Sequence, residues 1–100
     1  MPLKDYQQEI QLATLYAVAQ GQKVGSEQLQ ANIEVVGGTV NIYGSQLEPD
    51  SAPTGMYKTR DGFVGIDSFG VIPNYLYIEQ KTGETTSIIL SGVRATEVEV

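Results

Sequence analysis

The chain of 100 residues contains no cysteine, no histidine and no tryptophan. Without cysteine there are no disulfides, no thiolate metal sites and no cysteine nucleophile, and the redox compartment is left open. Without histidine the commonest general base and the commonest transition-metal ligand are both missing. Basic side chains are scarce, six against twelve acidic ones, for a net charge of −6. Such a chain repels a phosphate backbone, so nucleic acid is not an expected partner. Long apolar runs are missing too. Residues 12–19 are interrupted by Thr14 and fall far short of the ~20 residues a spanning helix needs, so no membrane contact is expected. The opening Met1-Pro2-Leu3-Lys4-Asp5-Tyr6 has no basic stretch followed by an apolar one, so no cleaved secretory signal is expected.

What is present suits one small domain over residues 1–100, with an apolar fraction of 41% to build a single core. At this length a chain buries roughly 60–65% of the surface its unfolded form exposes, so a core without covalent staples is feasible. The charged fraction of 18% is low for a free domain and hints that part of the surface is covered.

The patterning predicts an all-β, antiparallel β-sandwich or small barrel built from hairpins. Leu29-Gln30-Ala31-Asn32-Ile33-Glu34-Val35 alternates with period two, as does Thr39-Val40-Asn41-Ile42-Tyr43. Gly37-Gly38 between them suits a primed two-residue turn, which sets Ile33, Val35, Val40 and Ile42 on one face. A second hairpin is expected at Asp61-Gly62, pairing Thr59 with Val64 and Tyr57 with Ile66. A third is expected around Lys81-Thr82-Gly83, between residues 75–80 and 85–90. Residues 11–19 alternate as a strand. Residues 5–19 also contain good helix formers with Gly21 as a cap, so a short N-terminal helix is the alternative. The two prolines of Glu48-Pro49-Asp50-Ser51-Ala52-Pro53-Thr54-Gly55 mark an exposed loop.

No catalytic site emerges, and the chain reads as a non-enzyme. Gly65-Ile66-Asp67-Ser68-Phe69-Gly70 approaches a G-x-S-x-G elbow, but its first glycine is one place too far and no helix follows. Ser68 reads more simply as a turn serine. Asp61 and Asp67 are the nearest carboxylates for glycoside chemistry, and Asp61 is better explained by its turn. Glu48, Asp50 and Ser51 offer oxygen ligands on one loop but match no calcium-loop spacing. No cofactor and no metal are expected.

The last hairpin carries apolar residues on both faces. Leu76, Ile78, Ile88 and Leu90 point one way, Tyr75, Tyr77 and Ile89 the other. Val36 and Tyr43 repeat this on the outer side of the first hairpin. Exposed apolar patches mark interaction sites more often than they decorate monomers. Tyr75, Tyr77, Ile89, Val36 and Tyr43 are therefore the candidate interface residues. The competing reading makes them core covered by loops. The tyrosines could also form a stacking platform for sugars, although sugar binders commonly add tryptophan. Val93-Arg94-Ala95-Thr96-Glu97-Val98-Glu99-Val100 alternates at its end and suggests a terminal strand with a free edge that can add to a neighbour's sheet.

The Val35-Val36-Gly37-Gly38-Thr39-Val40-Asn41-Ile42-Tyr43-Gly44-Ser45 segment and the segments Pro73-Asn74-Tyr75-Leu76-Tyr77-Ile78 and Ile88-Ile89-Leu90-Ser91-Gly92 carry a resemblance. With the short strands between, the chain resembles the small β-sandwich virion proteins of tailed bacteriophages, especially capsid decoration (cement) proteins. The likeness is one of style over most of the chain, with no diagnostic motif and no functional residue to carry over. It implies a structural subunit that associates with itself, often as a trimer, clamps a larger shell such as a major capsid protein, and resides in the virion. A head-completion or tail subunit has the same look, and a carbohydrate-binding or adhesion module is the alternative from another class.

Overall fold

The computed structural model describes residues 3–18 and 27–95. Among them are six strands and no helix: β1 (Leu3–Glu9), β2 (Tyr16–Ala17), β3 (Glu27–Ser45), β4 (Tyr57–Ser68), β5 (Tyr75–Thr82) and β6 (Ser87–Ala95). They make one antiparallel sheet curled into a half-barrel.

β3 organises the sheet. On one edge it pairs with β4, from Asn32 opposite Ser68 to Gly44 opposite Tyr57. On its other edge it pairs first with β6, from Glu27–Ala95 to Val36–Ser87, and then with β5, from Thr39–Thr82 to Ser45–Tyr75. β6 and β5 thus lie end to end along β3. Beyond them, β1 pairs with β6 and β2 with β5. The architecture is four long lines of chain, each antiparallel to its neighbour.

None of the three expected hairpins forms. β3 continues through Gly37-Gly38, β4 continues through Asp61-Gly62, and β5 and β6 are joined across residues 83–86 without pairing. The glycines are used differently. Gly37 and Gly38 have φ of 80° and 38°, a left-handed region that a β-branched residue avoids. A Cβ on Gly37 would meet the Glu84 carbonyl oxygen at 2.7 Å, and one on Gly38 the Thr82 carbonyl oxygen at 2.5 Å. Here β3 bends and exchanges β6 for β5. Gln80 fastens the bend: its Nε2 donates to the Thr39 and Thr82 carbonyls (2.9 and 3.0 Å), and its Oε1 accepts from the Thr85 amide (2.9 Å).

Asp61-Gly62 is a bulge. Val40 faces Phe63 and Ile42 faces Arg60, so two residues of β4 oppose Asn41 alone. Gly62 takes φ of 65°, and its N–H donates to Asn41 Oδ1 at 3.0 Å.

The N-terminal line also departs from expectation. No helix forms, and the strand lies at residues 3–9 rather than 11–19, with only Tyr16-Ala17 resuming it. Ile10 still donates its amide to the Ile88 carbonyl, whereas Ala13 reaches Ile78. In three residues this line passes ten of its neighbour, among them residues 83–86 that connect β5 to β6. Ala13 absorbs the step at φ 56°.

The strand faces follow the alternation. Ile33, Val35, Val40, Ile42, Leu76, Ile78, Ile88 and Leu90 are all buried on the concave side, joined by Ile10, Val18, Ala31 and Phe69. Each large aliphatic side chain so buried contributes about 1.5–3 kcal/mol. Tyr75, Tyr77 and Ile89 point outward and are half-buried. The expected terminal strand edge is absent at residues 93–95, which lie in β6 between β1 and β3, and residues 96–100 lie outside the described ones.

Candidate functional site

The Gly37-Gly38 bend divides the outer face in two. In the Tyr43 half, residues 39–45 of β3 lie between β5 and the first part of β4. Register sets Tyr43 beside Tyr77 on one side and Lys58 on the other, and Asn41 beside Glu79. The Tyr43 hydroxyl donates to Glu79 Oε1 at 2.9 Å, and Asn41 Nδ2 donates to the same oxygen at 3.2 Å. The Tyr43 and Tyr77 rings meet edge to face at 6.4 Å, a favourable arrangement of aromatic quadrupoles. Lys58 Nζ stands 5.7 Å from the centre of the Tyr43 ring, within cation–π range. Lys81 Nζ donates to Asp61 Oδ1 at 2.9 Å, with Lys58 3.9 Å from the same atom. These contacts shift two groups. The hydrogen bond to Glu79 holds the Tyr43 hydroxyl above its ordinary pKa. The hydrogen bond from Lys81, then the charges of Lys81 and Lys58, hold Asp61 below the usual carboxylate value. On this half the polar groups and rings of β3, β4 and β5 are matched to one another.

The Val36 half differs. Register places Glu34 between Ile66 of β4 and Ile89 of β6, and Val36 beside Ser87. Val64 and Val36 each lie one residue beyond the Val35–Gly65 pair, on the same outer side. Ile66 is 69% exposed, Val64 51% and Val36 48%. A sheet with its core on the other face thus presents three aliphatic side chains to water, backed by half-buried Ile89. The patch ends where the Ser68 hydroxyl donates to Asn32 Oδ1 at 2.8 Å.

The structure therefore separates the candidate interface residues. Val36 and Ile89 lie in the open half. Tyr43 and Tyr77 lie in the matched half, with Tyr75 at its end opposite Ser45. Val64 and Ile66 were missed. Their signal was the alternation Phe63-Val64-Gly65-Ile66, obscured by the expected turn at Asp61-Gly62.

The chemical candidates do not converge. Ser68 ends β4 with its hydroxyl on Asn32. Asp61 bonds Lys81 on the outer side, while Asp67 shares the Ile33 register position on the concave side and pairs with Arg60 at 3.2 Å. Glu48, Asp50 and Ser51 are exposed on the β3–β4 connection, and no group of three or more carboxylates among the described residues is placed to hold a metal ion. Among the described residues no helix is long and apolar enough to cross a membrane.

Compared with known proteins, the chain matches no family model, no curated protein and no solved structure.

Proposed function

We propose that this chain is a non-enzymatic structural subunit that works by packing against other protein, copies of itself and a larger shell. The observation that carries the reading is the open half of the outer face. Val36, Val64 and Ile66 are exposed on a sheet whose core is already complete on the other side. Aliphatic side chains grouped in this way gain free energy when a partner removes them from water, at about 25 cal/mol per Å². The low charged fraction and the lack of histidine and cysteine fit a subunit that does no chemistry.

The specific form we favour is a capsid decoration protein of a tailed bacteriophage, clamping the major capsid protein in the virion, on the strength of the resemblance in its strand segments. A head-completion or tail subunit belongs to the same reading. The sugar-binding reading is weaker. A stacking platform needs rings lying open in a row, whereas Tyr43 and Tyr77 meet edge to face and the Tyr43 hydroxyl is engaged by Glu79.

Gradient sedimentation of lysate from cells that make the protein tests the proposal. The chain is expected in fast-sedimenting particle fractions that contain phage heads under the electron microscope. Recovery only at the top of the gradient would contradict it, as would an ester, glycoside or phosphate turnover abolished by Ser68→Ala or Asp67→Asn.

A further inference from the structure

We infer that the free edge of β4, over residues 63–68, is the surface by which two copies of this chain join, antiparallel and edge to edge about a two-fold axis at Gly65. The inference rests on the structural-subunit reading and gives it a defined contact.

Four observations support it. First, β4 pairs with β3 on one side, and no other described strand lies on its second side. On that side Asp67 Oδ1 takes the Ser68 amide at 2.8 Å and Arg60 Nη2 donates to the Ser68 carbonyl at 3.1 Å, which leaves the backbone groups of Val64 and Ile66 for another strand. Second, the exposed Val64 and Ile66 flank Gly65 on the outer face. Antiparallel pairing about Gly65 sets each Val64 opposite the partner's Ile66, giving two aliphatic cross-strand pairs of the kind that stabilise sheets. Gly65 lies at φ 105° and has open space where a Cβ would stand.

Third, the charges permit it. Two copies at −6 each repel, and the contact belongs where the local charge is balanced. On β4, Lys58 and Arg60 stand against Asp61 and Asp67, and they pair within the chain: Lys58 with Asp61 at 3.9 Å, Arg60 with Asp67 at 3.2 Å. The strand carries none of the unpaired lysines that usually guard an edge. The opposite edge, β1, is polar instead, as Leu-Lys-Asp-Tyr-Gln-Gln-Glu. Fourth, Glu34 decides between edge and face. It lies in the middle of the apolar patch, so stacking two outer faces would bury opposed carboxylates, a large desolvation cost. Pairing at the edge leaves Glu34 in water.

The chain lacks cysteine, so introduced thiols report contacts without background. Light scattering on the intact purified chain should give twice the chain mass. Ile66→Lys should halve that mass while circular dichroism stays unchanged, and so should Val64→Lys, whereas Gln7→Lys on β1 should leave the dimer intact. A mixture of Val64→Cys and Ile66→Cys chains should give an oxidised heterodimer in clear excess over either disulfide homodimer. A parent that is monomeric at every concentration overturns the edge contact. A dimer that survives both lysine variants and gives no heterodimer excess overturns it as well. Neither result touches the sedimentation test, which judges the structural-subunit reading by itself.

Discussion

On the same strand and the same face of the sheet, Tyr43 and Val36 have opposite surroundings. Tyr43 has an aromatic partner in Tyr77, a hydrogen-bond acceptor in Glu79 and a cation in Lys58. Val36 stands beside Ser87 and is half exposed to water. The difference lies in what each neighbouring strand supplies. β5 and the first part of β4 bring complementary polar groups to the outer face, whereas residues 63–68 bring Val64 and Ile66. Apolar content alone does not mark an interface. Tyr43 is matched by its neighbours within the chain, whereas Val36, Val64 and Ile66 are left exposed.

The largest expected effect comes from breaking the boundary between the halves. Gly38→Val places a β-branched residue at φ 38° with its Cβ against the Thr82 carbonyl. Strained backbone of this kind costs about 1–3 kcal/mol, and overpacking adds a similar amount. Chemical denaturation should show a stability loss on the order of 3 kcal/mol. A variant as stable as the parent removes the bend as the organiser of the sheet.

Next comes the matched half. Asn41→Leu deprives the Gly62 amide of its acceptor and removes the donor to Glu79. A buried group left unsatisfied costs about 1–3 kcal/mol, so the midpoint in urea should fall while assembly by the surviving folded chain persists. The open half should behave in reverse. Val36→Ser is expected to change stability by no more than about 0.5 kcal/mol, as exposed positions generally do, and to weaken association. Loss of fold in Val36→Ser together with an unaffected Asn41→Leu would invert the comparison.

The smallest effects are those of pH. Asp61 is held below its ordinary pKa by Lys81, so its contribution is present above the unfolded carboxylate value of 3.8 and fades as pH falls through its lower folded value. Lys81→Gln should flatten acid unfolding slightly in that window. Tyr43 is shifted the other way. Its neutral form is favoured by Glu79, so the contribution is complete below the ordinary value of 10.0 and is lost as pH rises through the higher folded value. Ultraviolet titration should find Tyr43 ionising above its ordinary value, and Glu79→Gln should bring it back.

On β3, β5 and β6 the face of each core side chain was legible in the sequence, but the faces of β4 and the partner of each strand were not. Alternation correctly assigned Ile33, Val35, Val40 and Ile42 to one side, and likewise Leu76, Ile78, Ile88 and Leu90. At Gly37-Gly38 the alternation shifts by one place. A hairpin turn and a bend within one long strand produce that same shift, and periodicity cannot tell them apart. The distinction is set by long-range packing: the Glu84 and Thr82 carbonyls crowd the glycines only because the connection from β5 to β6 passes there. Asp61-Gly62 misled for the same reason, since the Asn41 side chain that takes the Gly62 amide is remote in sequence. The outward facing of Val36 and Ile89 could be read from their parity, while the exposure of Val64 and Ile66 became visible only once β4 was seen to continue past its bulge.

The central claim is that the open half, not the tyrosine half, meets the partner. Hydrogen exchange, followed by mass spectrometry on dilute and on assembled protein, addresses it directly. Amides of residues 63–68 should gain protection on assembly, while those of residues 39–45 and 75–82 exchange at the same rate in both states. Protection gained at residues 75–82, with residues 63–68 unchanged, would contradict the account.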